Sequence, residues 1–222
     1  MDRKTKTLYK YTKMDYVRSC IEKGVHASKL DKTLNDPFES AGIENKEKYR
    51  IACLTTNTQN KLMWSFYAQN HQGCCIGFDV TDVNRSFLRK VSYTQILRNK
   101  AEYSSVELVD RLFYKGYEWH SESEWRAVYY SDNHYSDTIW NTDEDGNIFL
   151  NLKVVSVTFG VNSELNPLYC KALEYLLNYN KGCRFKKDQI TIRKMRLSDK
   201  NYNVVQDKQY DPATVLNKML SK

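Results

Sequence analysis

Arg50-Ile51-Ala52-Cys53-Leu54-Thr55, then Asn60-Lys61-Leu62-Met63-Trp64-Ser65-Phe66-Tyr67-Ala68, then Gly73-Cys74-Cys75-Ile76-Gly77-Phe78-Asp79-Val80 is the stretch from which the fold is read. The first run is short, largely apolar and reads as a strand. The second sets Leu62, Met63, Phe66 and Tyr67 at helical spacing. Gly73 closes the connection, and the third run reads as a second strand. Strand, helix, strand is therefore the local plan.

Working outward, Thr7 to Tyr11 is expected as a first strand, and Met14 to Lys23 as a helix that Gly24 stops. Downstream the pattern predicts a helix over Ser104 to Tyr114, a strand over Glu124 to Tyr130 and one long strand over Ile148 to Phe159. A helix entered through Pro167 and running to Asn180, an exposed strand over Gln189 to Leu197 and a short helix after Asp211-Pro212 complete the chain. Helices and strands alternate irregularly and no Ser/Gly/Pro-rich linker interrupts them. The expectation is one α+β domain over residues 1–222 with a mixed or antiparallel split sheet and flanking helices.

A chain of 222 residues, 41% hydrophobic and 27% charged, can bury roughly 70% of the surface its unfolded form exposes, which argues against disorder. No apolar run approaches the roughly 20 residues a membrane span needs, and Met1-Asp2-Arg3-Lys4 lacks the apolar core of a secretory signal. Cys20, Cys53, Cys74, Cys75, Cys170 and Cys183 have neither C-x-x-C nor framework spacing. Free thiols in a reducing cytoplasm are the expectation.

The net charge of +7 is lopsided, because residues 181–222 hold 11 Lys and Arg against 4 Asp and Glu while residues 1–180 balance at 23 of each. Lys186, Lys187, Arg193 and Lys194 fall in the densest part and are the candidate nucleic-acid contacts. An ordinary solvated surface would carry the same charges.

Standard catalytic signatures are missing: there is no G-x-G-x-x-G, Walker loop, G-x-S-x-G, H-E-x-x-H or zinc-type cysteine cluster. His26, His71, His120 and His134 stand at no ligand spacing from one another. Asn141, Asp143, Asp145 and Gly146 match the opening of a calcium loop, but Leu152 occupies the position that requires a bidentate Glu, so no metal is expected there.

Four segments stand out: Leu8-Tyr9-Lys10-Tyr11-Thr12, Asn35-Asp36-Pro37-Phe38-Glu39, Met63 to Ala68 with the Gly73 and Gly77-Phe78-Asp79 that follow, and Trp119-His120-Ser121-Glu122-Ser123-Glu124-Trp125-Arg126. Over roughly residues 7–160 they resemble the bacterial family called domain of unknown function 2971. Their order also resembles the three motifs of ADP-ribosyltransferases. That resemblance implies an ADP-ribosyltransferase-like fold and NAD as cofactor. It implies catalytic roles for Glu124 and Glu122, and contacts to NAD from Lys10, Tyr11, Trp64, Ser65, Tyr67 and Arg126. Lys10 stands where the family carries His or Arg. It further implies a toxin or anti-phage effector with a protein or nucleic-acid acceptor and an antitoxin or regulatory partner.

The chemistry asks for such residues. Cleaving the bond between nicotinamide and ribose builds positive charge on the ribose, which a fixed carboxylate stabilises. On a strand, Glu122 and Glu124 would project from one face, with Arg126 on that face to keep both ionised. Tyr67 or Trp64 would stack on the nicotinamide ring. A solvent-facing charge ladder gives the same Glu-x-Glu-x-Arg pattern. Asn35 to Glu39 reads as a turn fixed by Asn and Asp side chains before Pro37, or as a place where Asp36 or Glu39 lines a cleft. Two further readings stay open: a Mg²⁺-dependent nuclease on Asp79, Glu122 and Glu124, with Trp125 where the usual catalytic Lys would stand, and a non-catalytic module that contacts nucleic acid by charge and stacking.

Overall fold

The computed structural model describes residues 6–30, 35–41, 43–81, 87–96, 109–135, 138–163 and 191–210. In chain order the elements are β1 (Thr7–Thr12), α1 (Val17–Glu22), β2 (Val25–His26), β3 (Ser28–Lys29), β4 (Tyr49–Thr55), α2 (Lys61–Phe66), β5 (Cys74–Asp79), β6 (Leu88–Lys90) and β7 (Ser92–Thr94). There follow β8 (Tyr114–Gly116), β9 (Glu124–Tyr130), β10 (Trp140–Thr142), β11 (Ile148–Leu150), β12 (Lys153–Phe159), β13 (Thr191–Leu197) and β14 (Val204–Tyr210).

The described residues are mostly β with few short helices, and their main sheet is mixed, with both antiparallel and parallel pairs, as expected. The long strand expected over Ile148 to Phe159 is two strands, since Asn151 and Leu152 break between β11 and β12. Of the helix expected over 104–114, Val109 and Asp110 are helical, Arg111–Phe113 tightens into a 3-10 turn, and Tyr114 already opens β8. Residues 104–108, the helix over 166–180 and the one after Asp211 lie outside the described residues. No helix among the described residues is long and apolar enough to cross a membrane.

The chain forms two compact units, each built from separated segments: one from Val25–Thr56 and Asp82–Asn151, the other from Asp2–Gly24, Asn57–Thr81 and Leu152–Lys222. In the first, β9 lies between β4 and β6 and pairs antiparallel with both, and β3 extends the ladder on the far side of β4. Two small sheets accompany it, the parallel pair β7 and β8 and the ladder β10-β11-β2. Its core gathers Leu30, Ile43, Ile51 and Leu112.

In the second unit β5 pairs antiparallel with β1 and β12, β12 runs parallel to β13, and β14 closes antiparallel on β13. Cys74 to Phe78 are buried on both faces of the strand, as a central strand requires. The Asn60 side chain accepts from the backbone N–H groups of Leu62 and Met63, so an ordinary N-cap starts α2. The helix packs Met63 and Trp64 against Tyr11, Cys75, Met195 and Val204. Its outer positions, Leu62 and Phe66, remain exposed.

Candidate carboxylate site

β9 is enclosed on both sides, so its inward side chains are removed from water. Arg126 is fully buried (0% exposed) and Glu124 nearly so. Period-two alternation puts the two on the same face of the strand. Arg126 donates from Nε to Glu124 Oε1 at 2.9 Å and from Nη2 to Glu124 Oε2 at 2.8 Å. Its Nη1 donates to the Leu112 carbonyl at 2.7 Å, and Nη2 also reaches Glu39 Oε1. Each guanidinium nitrogen thus has an acceptor, which is the condition for burying Arg at all.

Glu122 does not lie on the strand. It ends a 3-10 turn over Tyr117–Glu122, and Ser123 then takes a left-handed conformation with φ 48° and ψ 48°. That single left-handed residue, unfavourable for a side chain with a Cβ, redirects the chain before β9 begins. Thr55 Oγ1 donates to the Glu122 carbonyl at 2.5 Å and pins the turn. Both carboxylates nonetheless arrive at one cation. Lys115 Nζ lies 2.6 Å from Glu122 Oε2, 3.2 Å from Glu124 Oε2 and 3.2 Å from Glu39 Oε1.

Five buried ionisable side chains from three separate segments therefore form one network, three acids around two bases. Burial pushes the Glu124 carboxyl up, but Arg126 and then Lys115 outweigh it and hold it at about 2. For Glu39 burial wins over the same two cations and the carboxyl is raised above its ordinary value. Burial works against the charged forms of Lys115 and Arg126 as well, and the surrounding carboxylates keep both cationic.

A cavity of about 430 Å³ opens at this network, with Asp36, Glu39, Arg111, Lys115, Gly116, Glu118 and Trp119 among its lining residues. Asn35 to Glu39 fulfils both readings of that segment. Asp36 Oδ1 accepts from the Phe38 N–H at 2.9 Å, which fixes the turn, and Asp36 and Glu39 both line the cavity. The Lys115 ammonium sits 4.9 Å from the centre of the Trp119 ring. Sequence reading missed Lys115, because a lone Lys between two Tyr-Gly-flanked segments has no spacing that marks it as the hub of three carboxylates.

The other sequence candidates fall in the second unit. Tyr11 and Trp64 pack edge to face at 5.0 Å, and Trp64 is 0% exposed. Its ring has no open face for a stacking ligand, so it serves the core. Tyr11 donates from its hydroxyl to the Asn57 carbonyl at 2.8 Å. Lys10 lies on β1, Ser65 on α2, and Tyr67 caps α2 and packs on the core. Arg193 and Lys194 lie on β13, with Lys194 Nζ donating to the Ser163 carbonyl at 3.0 Å. Lys186 and Lys187 lie outside the described residues. Asp79 Oδ1 is engaged by Thr81, and among the described residues no group of three or more His, Cys, Asp or Glu is placed to hold a metal ion. Asp143 accepts from the backbone of Asp145 and Asn147, so the calcium-like segment is a tight turn between β10 and β11, with Gly146 at φ +76°.

Residues 63–127 match the family described as Protein of unknown function (DUF2971). The match takes in residues 63–66 of α2 together with Lys115, Trp119, Glu122, Glu124 and Arg126. No curated protein and no solved structure matches the chain, and none of these comparisons supports the expected likeness to ADP-ribosyltransferases.

Proposed function

We propose that the protein is an NAD-dependent ADP-ribosyltransferase-like enzyme in which Glu124 supplies fixed negative charge and Glu122 the second carboxylate of the pair. One observation carries the reading: Glu124 is a buried carboxylate held ionised by Arg126, and it shares with Glu122 the cation Lys115, which itself lines a cavity. A preorganised carboxylate of that kind stabilises an oxocarbenium-like centre without having to reorganise during reaction.

NAD would bring a ribosyl group whose bond to nicotinamide breaks with the electron pair leaving on the nicotinamide. The residues fit the ribose end of that molecule, since Glu122 and Glu124 can accept from ribose hydroxyls once Lys115 shifts toward Glu39. Arg126 keeps Glu124 in place by its two remaining bonds while Lys115 moves. The acid-rich cavity wall is no seat for a pyrophosphate. The acceptor is a protein or nucleic acid, and Arg193 and Lys194 on β13 are the candidate contacts to nucleic acid. We place the activity in a bacterial cytoplasmic toxin or anti-phage effector, checked by an antitoxin or regulatory partner.

Purified protein incubated with labelled NAD and cell extract, with and without EDTA, tests this directly. Label transfer insensitive to EDTA is expected, and a fall of roughly two to three orders of magnitude in Glu124→Gln. Glu122→Gln, which leaves the Arg126 pairing untouched, is the variant to read if Glu124→Gln melts early. A folded Glu124→Gln protein as active as the parent would remove the assignment.

A further inference from the structure

The corner that brings Glu122 and Glu124 together is held by a side chain outside the charged network. One position beyond the Lys90 and Trp125 pair of β6 and β9, an antiparallel ladder would exchange two backbone bonds between Val91 and Glu124. One of them is made, from the Val91 N–H to the Glu124 carbonyl at 2.9 Å. The Glu124 N–H donates instead to Tyr93 Oη at 2.8 Å. A phenol oxygen thus stands where a strand carbonyl would otherwise accept.

Tyr93 lies on β7 opposite Lys115 in the parallel register with β8. One strand pair therefore delivers both the ammonium that gathers the carboxylates and the hydroxyl that fixes the backbone of one of them. On the other flank, Thr55 Oγ1 holds the Glu122 carbonyl. Between these two bonds stands Ser123, left-handed at φ 48° and ψ 48°. A residue with a Cβ keeps that conformation only where its surroundings over-determine it, and a hydroxyl on each flank does so. Burial, joined by the negative charge of Glu124 and Glu122, pushes the Tyr93 hydroxyl up to about 12. It stays a neutral phenol and adds no charge among the acids.

We propose that Tyr93 is a positioning residue for the Glu122 and Glu124 pair, its hydroxyl fixing the corner at Ser123 so that both carboxylates converge on Lys115. The role rests on that pair being the reactive centre of the transferase reading. Tyr93 acts through Glu124 and not on the substrate. A carboxylate that drifts by about an ångström loses its alignment with a developing charge, so the effect falls on kcat and not on KM.

Amide exchange in the isotope-labelled full chain reads the bond with no variant at all: the Glu124 N–H is expected to be protected, and an unprotected one overturns the proposal. Tyr93→Phe keeps the ring and removes the acceptor. In it the Glu124 amide and the Lys115 ammonium are expected to exchange with water roughly tenfold faster, while the mid-strand Ala127 amide keeps the parent rate. A merely structural role would leave the Lys115 signal in place. In NAD turnover Tyr93→Phe is expected to lower kcat roughly tenfold to a hundredfold with KM within about twofold. Added to Glu122→Gln, where one carboxylate of the pair is already lost, it should cost little more. A folded Tyr93→Phe protein with the parent's Lys115 exchange overturns the proposal, as does an active one with the parent's kcat or a loss that multiplies fully with that of Glu122→Gln. A parent inactive on NAD removes the transferase reading, and the Lys115 exchange rate then decides the role of Tyr93 by itself: faster in Tyr93→Phe supports it, unchanged overturns it.

Discussion

Glu124 and Arg126, two positions apart on β9, are joined by two parallel hydrogen bonds of 2.9 Å and 2.8 Å with both side chains buried. The pair is a bidentate clamp, and the rest of the network is organised by it. Removing the cation alone should be severe, because Glu124 and Glu39 would then share only Lys115. Arg126→Met is expected to cost roughly 3–5 kcal/mol in chemical denaturation, and Arg126→Met with Glu124→Leu to recover part of it. A single variant as stable as the parent would show that the clamp contributes nothing.

Stability should depend on Glu124 through pH. Its folded value of about 2 lies below its ordinary 4.5, so its contribution is fully present above pH 4.5 and is lost as pH falls toward 2. The displacement corresponds to roughly 3 kcal/mol. Urea midpoints measured between pH 5 and pH 2 should fall steeply in the parent and less steeply in Glu124→Gln. Equal slopes would contradict the ionised buried carboxylate.

Gly160 should tolerate no side chain. A Cβ there would lie 2.0 Å from the His71 carbonyl oxygen and 2.6 Å from its carbon. Those are backbone atoms in a run of left-handed residues, Gln69, Asn70 and His71, so they cannot step aside cheaply. Gly160→Ala is expected to destabilise the second unit by roughly 1–3 kcal/mol, read as a lower melting temperature.

Cys20, Cys74 and Cys75 should resist alkylation in the native protein. All three are buried free thiols; burial pushes Cys20 up to about 11 and raises Cys74 and Cys75 as well. Since the thiolate is the nucleophile, N-ethylmaleimide at pH 8 should leave them unmodified by peptide mass spectrometry and label them in urea. Rapid native labelling of Cys74 or Cys75 would contradict the buried central position of β5.

The strand over Glu124 to Tyr130 was legible to the residue, and β1, β4, α2, β5 and β13 to within about two residues, because each carries its periodicity locally. So was the turn at Asn35 to Glu39, where Pro37 and Asp36 dictate the backbone without help from the rest of the chain. The Glu-x-Glu-x-Arg spacing announced a coupled charge group on β9. What the spacing could not supply was the conformation of Ser123, which a period-two count treats as extended and the fold makes left-handed.

By itself, then, the sequence determined where β9 runs, that Glu124 and Arg126 share a face, and that Asp36 sits at a fixed turn. Only the tertiary structure decided that Glu39, 87 residues before Arg126, bonds to it. It alone made Lys115 the hub of three carboxylates and turned Trp64 into core instead of a stacking face. Hydrogen-bonding patterns and hydrophobic period act over a few residues and are written in local order. Charge burial acts through space, and its sign at each residue depends on which distant side chains the fold brings within a few ångströms.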